Sequence, residues 1–336
     1  VVRIGIAGVG FMGMMHFLAA GRLTDAKVAA IATRDPRKRA GDWTMIQGNF
    51  GPRGSHVDLA GVETFESVDA MVRSPDVDLV DVCLPSDQHA EAAVRALEAG
   101  KHVLVEKPIA LDLADADRML AAAESAGRML MVAHVLPFFA DFRFAWEAVR
   151  SGRYGTLLAA SFRRHISPPD WSDSVADLAR MGGPLIDLHI HDAHFIVLLC
   201  GRPKQVYARG VERNGVVEYV STEYVYDAGG PIVGATSGCL SQPSRPFTHG
   251  YELYFERATV HYEAGALALY APSGRETPPL DPGDEIESFR AELAEAVRAV
   301  ATREPSTLLD ARLARDALAL CILEGQSVRT GRILDA

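Results

Sequence analysis

Asp187, His191 and His194 stand at spacings of four and three within GGPLIDLHIHDAH, Gly182 to His194. A Gly-Gly-Pro start can open a helix with Pro184 at the first helical position, where its missing N–H costs nothing. At about 100° per residue the three side chains share one face and His189 points to the other. A carboxylate and two imidazoles on an apolar helix are costly to bury. The pattern therefore points either to proton transfer, for which imidazole is apt near neutral pH, or to a metal site. The metal reading is a hydrolase or lyase built on Asp187, His191 and His194, or on the His189-x-His191 pair. That pair shares a face on a strand but diverges by about 200° on a helix. The long apolar run after Gly-Gly-Pro predicts a helix over Pro184–Cys200, stopped by Gly201 and Pro203. Proton transfer is preferred on that ground, and no metal is expected.

A second set of residues supplies a partner for such a site. Gly8-Val-Gly10-Phe-Met-Gly13 lies between a β-branched run, Val1–Ala7, and a helical stretch from Met12 to about Ala20. This strand, glycine turn and helix is the context in which GxGxxG binds a dinucleotide. The first glycine permits the turn, the second admits the pyrophosphate, and the third lets helix and strand pack closely. Free N–H groups at the helix start favour the anion. The next strand, Lys27–Thr33, ends on Thr33 and Arg34, where an NAD-binding fold usually has an acidic residue. A hydroxyl and a guanidinium suit a 2′-phosphate better than a bare 2′-hydroxyl, so NADP is preferred over NAD.

Short apolar strands alternate with helices through the rest of the first half: Val77–Leu84, Ala90–Ala99, His102–Val105, and Met129–His134 after a further helix. That alternation is the signature of a doubly wound parallel sheet, in which ligands sit at the carboxyl ends of strands. Pro85, Ser86, Glu106, Lys107 and Pro108 all fall at such ends. A long Gly/Asn/Pro-rich loop, residues 42–61, interrupts the pattern. In the second half, Leu157–His165 opens a sheet, and further strands to Glu263 read as an antiparallel meander. Pro272–Asp284 reads as a connector, followed by two amphipathic helices, Glu285–Thr302 and Asp310–Thr330.

In combination these pieces resemble the Gfo/Idh/MocA oxidoreductases, named for glucose-fructose oxidoreductase and inositol dehydrogenase. The matching residues are the glycine fingerprint, Pro85 with His89, AGKHVLVEKPIA (Ala99–Ala110), Tyr154-Gly155 and GGPLIDLHIH. The resemblance implies an α/β Rossmann domain over residues 1–135. It also implies an α+β domain over 136–336, with a large open, mainly antiparallel sheet. The implied reaction is NAD(P)-dependent hydride transfer at a sugar or cyclitol carbon. By position, Lys107 matches the family's EKP lysine, and Asp187 and His191 its second-domain pair. A cis bond before Pro108 is also implied. The cofactor residues are then Gly8, Gly10, Phe11, Met12, Gly13, Thr33, Arg34, Pro85, Ser86, His89, Glu106 and Lys107. The catalytic residues are Lys107, Asp187 and His191, with either Lys107 or His191 carrying the proton. Candidate substrate contacts are His134, Arg163, His165, Trp171 and His194; His194 stands where relatives commonly have aspartate. Some relatives use bound NAD for transient oxidation during glycoside cleavage, an alternative of the same fold.

Bulk composition sets the partners. A net charge of -10 gives little support for nucleic-acid binding, and no apolar run has the length of a membrane helix. Cys83, Cys200, Cys239 and Cys321 form no CxxC pair and suit a reducing compartment. Together these predict a cytoplasmic enzyme acting on a small molecule, assembled as a homodimer or homotetramer through its C-terminal sheet.

Overall fold

The computed structural model describes residues 1–48, 50–168 and 181–336. The chain forms two compact units, Val1–Phe138 with Pro282–Ala314, and Phe139–Asp281 with Arg315–Ala336. The chain first leaves the first unit after Phe138, where the sequence reading draws a boundary at 135–136. The return of residues 282–314 to the first unit has no counterpart in that reading, because the contacts that draw it back are far apart in the chain.

The first unit holds six strands: β1 (Val2–Ala7), β2 (Ala26–Ala32), β3 (Glu63–Phe65), β4 (Leu79–Val82), β5 (His102–Glu106) and β6 (Leu130–Ala133). Their order is β3-β2-β1-β4-β5-β6, every neighbouring pair parallel. The order reverses between β1 and β4, so a crevice opens at their carboxyl ends. Helix α1 (Phe11–Ala20) follows the glycine loop. One four-residue turn, α2 (Pro36–Arg39), is capped by the Asp35 carboxylate, which accepts from Arg37 N–H. A second, α3 (Val68–Met71), is shorter than the helix over Glu66–Arg73 that the sequence predicts. Helices α4 (His89–Glu98) and α5 (Leu113–Ala126) follow. The helix Glu287–Thr302 packs on α1 and puts Phe289, Leu293 and Val297 into the core formed with Ile4, Ile6 and Met15.

The second unit opens with helix α6 (Ala140–Ser151) and contains nine strands, β7 (Leu157–His165), β8 (Gln205–Arg213), β9 (Val216–Val225), β10 (Ile232–Gly238), β11 (Thr248–Phe255), β12 (Thr259–Glu263), β13 (Ala266–Ala271), β14 (Gly274–Glu276) and β15 (Leu334–Asp335), in one sheet of order β14-β13-β12-β11-β7-β10-β9-β8-β15. Its central strand β7 (Leu157–His165) pairs in parallel with β10 (Ile232–Gly238) and antiparallel with β11 (Thr248–Phe255). The parallel pair departs from the simple meander read from the sequence. Strands β13 (Ala266–Ala271) and β14 (Gly274–Glu276) extend the edge into the stretch read as a connector.

The segment that carries Asp187 and His191 differs from its prediction. It is two helices, α7 (Gly183–Asp187) and α8 (Ile190–Cys200), broken at Leu188-His189. The Pro184 carbonyl accepts from both Leu188 N–H and His189 N–H, the second across five residues. Such a π-type turn unwinds the helix locally. The break swings His189 inward, where its Nε2 meets Tyr224 Oη at 3.2 Å and Glu324 Oε2 at 3.0 Å.

Candidate active site

A groove of about 650 Å³ lies at the carboxyl ends of β1, β2 and β4. Two of the fingerprint glycines have a steric reason within the protein, and the third leaves open space. Gly8 has φ +97°, and a Cβ there would sit 2.7 Å from the Cys83 carbonyl oxygen. A Cβ on Gly13 would lie 2.0 Å from the Gly8 carbonyl oxygen, whereas one on Gly10 would meet nothing within 4 Å. Gly10 thus leaves open the space that a pyrophosphate needs, and α1 begins there with no side-chain cap. Its orphan N–H groups suit an anion. The residues present fit a dinucleotide.

The adenosine side of the groove is lined by Thr33, Arg34, Asp35 and Lys38. Arg34 is exposed and makes no hydrogen bond or ion pair among the described residues. Lys38 reaches back to donate to the Val9 carbonyl at 2.7 Å. Asp35 and Lys38 were not picked out from the sequence; the basic run Arg34–Arg39 was the available signal. Pro85 lines the groove and Ser86 opens the short 3-10 turn beside it. Phe11 and Met12 begin α1, with the Phe11 ring edge-on to Phe50 at 4.9 Å.

Two expected cofactor contacts have other employment. His89 is buried, with Nδ1 2.8 Å from Pro108 O and Nε2 2.9 Å from Leu84 O. Both partners are acceptors, so both bonds at once need imidazolium. Burial holds His89 below the ordinary histidine range, leaving one N–H to serve either carbonyl. His89 therefore buttresses the loop after β5 instead of facing a ligand. Glu106, the last residue of β5, turns into the interior: Oε1 lies 3.3 Å from His16 Nε2, and Oε2 accepts Lys107 N–H at 3.1 Å. Strand alternation explains this, since Glu106 and Lys107 leave on opposite sides. Lys107 is half-buried at the strand exit, and the Lys107–Pro108 bond is cis. His134, just past β6, is buried.

In the second unit Asp187 and His191 are half-buried, while His189, Asp192 and His194 are buried. Asp192 receives a bidentate pair from Arg164, Nε to Oδ2 at 2.9 Å and Nη2 to Oδ1 at 3.0 Å. His194 is 1% exposed, and burial pushes it down to about 3. It is a neutral core group with no surface to offer a substrate, which corrects its assignment as a substrate contact. Arg164 and Phe162 face α8, so Arg163 and His165 point to the opposite face of the sheet. There Arg163 pairs with Glu263 at 2.9 Å and His165 stacks on Tyr219 at 5.8 Å. That placement removes both from the side that carries His191. Trp171 lies outside the described residues. Among the described residues, the one grouping of His, Cys, Asp or Glu with ligand atoms within 4.8 Å of one another is His16, Asp81 and Cys83. Asp187, His191 and His194 do not form one.

Comparison with known proteins agrees with this architecture. Residues 2–134 match the oxidoreductase family with an NAD-binding Rossmann fold, and residues 142–268 match the GFO/IDH/MocA C-terminal domain. A 1,5-anhydro-D-fructose reductase from Ensifer adhaerens is 32% identical over 282 residues, 78% of this chain and 82% of its own. The chain belongs to the Gfo/Idh/MocA oxidoreductase family. Another Gfo/Idh/MocA relative, an inositol 2-dehydrogenase from Rhizobium meliloti, is 29% identical over 80% of this chain and 75% of its own. The fold matches an aldose-aldose oxidoreductase from Caulobacter crescentus with TM-score 0.83 at 21% identity, covering 100% of this chain and 99% of the other. The protein is an NAD(P)-binding dehydrogenase or reductase acting on CH–OH groups. Among the described residues, no helix is long and apolar enough to cross a membrane.

Proposed function

We propose that the enzyme interconverts a hydroxyl and a carbonyl on a sugar, sugar derivative or cyclitol, with NADP preferred over NAD. The observation that carries this reading is the placement of Lys107 at the exit of β5, in the same unit as the open approach over Gly10. When bound, the nicotinamide supplies the hydride acceptor or donor. In oxidation the carbon loses hydride as its hydroxyl loses a proton, and the C=O bond forms. His191 takes that proton, or Lys107 does. Where His191 takes the proton, the Lys107 ammonium hydrogen-bonds the same oxygen and stabilises alkoxide character as it develops; where Lys107 takes it, the lysine acts from its neutral amine. Asp187 binds a neighbouring hydroxyl or orients the His191 imidazole.

Three features support NADP. Arg34 is exposed and unpaired among the described residues, Thr33 lies beside it, and the Asp35 carboxylate is occupied in capping α2. A cytoplasmic homo-oligomer remains part of the proposal. Exposed Ile232, Tyr254 and Tyr270 fall in one row across β10, β7, β11, the neighbouring strand Thr259–Glu263 and β13, a surface suited to a second copy.

Lys107→Ala and His191→Ala are each expected to lose most turnover while still binding NADPH, followed by fluorescence. Wild-type rates in either variant remove that residue from the mechanism.

A further inference from the structure

Five ionisable side chains meet in the interior of the first unit, behind the groove that Cys83 also lines. His16 lies on α1 one turn beyond Gly13 and is fully buried. Its Nδ1 is 2.8 Å from Asp81 Oδ2 and 3.5 Å from Cys83 Sγ, both contributed by β4 and its exit. Its Nε2 faces Glu106 Oε1 at 3.3 Å and Glu292 Oε2, from the helix Glu287–Thr302, at 3.9 Å. Asp81 sits inside a central parallel strand between buried valines, a position where a charge is costly unless paired. Glu292 has neither carboxyl oxygen in a hydrogen bond.

The distances favour a proton-bearing cluster over a metal. Tetrahedral zinc with nitrogen and oxygen ligands holds those atoms about 3.3 Å apart; the His16–Asp81 separation of 2.8 Å is that of a direct charge-assisted hydrogen bond. Burial is the largest influence on His16 and opposes its charge, but the attraction and hydrogen bonds of Asp81 and Cys83 together outweigh it and hold the imidazole well above its usual range. Burial pushes Glu292 well above the carboxylate range, so it is a neutral acid. Burial likewise raises the Cys83 thiol, which stays protonated. What remains is an imidazolium between Asp81 and Glu106.

We infer that His16 is a positioning residue for Lys107, acting through Glu106. The imidazole Nε2 faces one oxygen of Glu106 at 3.3 Å, an ion-pair contact without hydrogen-bond alignment, and the other oxygen accepts the Lys107 backbone N–H at 3.1 Å. The exit of β5 is thereby tied to α1, the helix that begins at the dinucleotide loop. This rests on the reading of Lys107 as a group that touches substrate.

Two variants separate positioning from simple support of the core. In His16→Gln the amide nitrogen takes the place of Nε2 and keeps a donor toward Glu106. In His16→Asn it takes the place of Nδ1 and keeps the donor toward Asp81 alone. His16→Gln is expected to hold kcat within about threefold, and His16→Asn to lose at least about tenfold, a loss in keeping with a small misplacement of a reacting group. KM and the Kd for NADPH should stay within about threefold in both, because the groove is unaltered. The Lys107 amide resonance should move in His16→Asn and stay in His16→Gln. Equal kcat in the two variants, or losses that follow only the melting temperature, would overturn the inference. So would a stoichiometric metal that Cys83→Ser releases. If His16→Asn does not fold, Glu106→Gln, which removes the carboxylate facing His16, should show the same kcat loss at unchanged NADPH affinity; wild-type kcat there overturns the inference equally. Lys107→Ala distinguishes the two levels. Full activity in it removes the mechanism itself, whereas an inactive Lys107→Ala beside a fully active His16→Asn removes only the positioning role.

Discussion

Arg164→Met strands a buried carboxylate next to His191, and its cost can be worked from the geometry. The Arg164 and Asp192 side chains are 5% and 2% exposed and share two aligned bonds. Removing one partner of such a pair costs about 3–5 kcal/mol, because the other is left charged and dry. Methionine retains much of the packing against Phe142 and Phe247, whose rings lie 6.0 and 5.8 Å from the guanidinium carbon. For a unit of this size, about 2–4 °C of melting temperature per kcal/mol gives a drop of about 6–20 °C. Adding Asp192→Leu removes the stranded charge, so the double variant should regain most of the loss. The pH dependence has a definite sign. Without its guanidinium, Asp192 would hold its proton more tightly folded than unfolded, so the Arg164→Met deficit should shrink as pH falls from 7 to 5 and grow as it rises. Thermal and urea denaturation of the four proteins of the cycle, at both pH values, measure this. A single variant within about 1 kcal/mol of wild type, or a double variant no more stable than the single, would refute the reasoning.

Arg34→Ala should raise Kd for NADP by about tenfold and leave Kd for NAD within about threefold, as loss of one phosphate contact implies; equal effects in titration calorimetry undo the 2′-phosphate argument. Gly13→Ala drives a Cβ to 2.0 Å from a backbone oxygen, so about 3 kcal/mol of stability and most cofactor binding should be lost, and normal NADPH binding would contradict the loop geometry. His194 is depressed to about 3 by burial, so the folded state resists a proton that the unfolded chain accepts near pH 6.5. Its contribution is present above that pH and is lost as pH falls towards 3. His194→Leu should therefore flatten the acid limb of stability by up to about 1.4 kcal/mol per pH unit, checked by urea denaturation at pH 5, 6 and 7; an unchanged slope refutes the assignment.

The parts of the fold governed by local rules were readable. Gly8 and Gly13 are each demanded by a close backbone approach, Gly10 leaves open space, and the strands β1, β4 and β5 are mostly apolar and suit a doubly covered sheet. Strand β7 falls on Leu157–His165 as read. What escaped depends on partners distant in sequence. The break at Leu188-His189 follows from Glu324 and Tyr224, which pull His189 inward. Glu106 reads as a strand-exit ligand until His16, 90 residues earlier, claims it. Likewise the helical period places His194 beside His191, but His194 is buried while His191 is half-buried. Local pattern assigns residues to elements; which side of an element faces solvent depends on what the rest of the chain packs against it.

The most direct test of hydride exchange with a polyol is cofactor reduction itself. Purified enzyme would be mixed with NADP or NAD and a panel of cyclitols, aldoses and polyols, and absorbance followed at the reduced-nicotinamide band. At least one compound should give substrate-dependent reduction, faster with NADP, and deuterium at its reacting carbon should appear on the nicotinamide. Tight cofactor binding with no net reduction by any polyol, together with cleavage of a glycoside, would contradict the account.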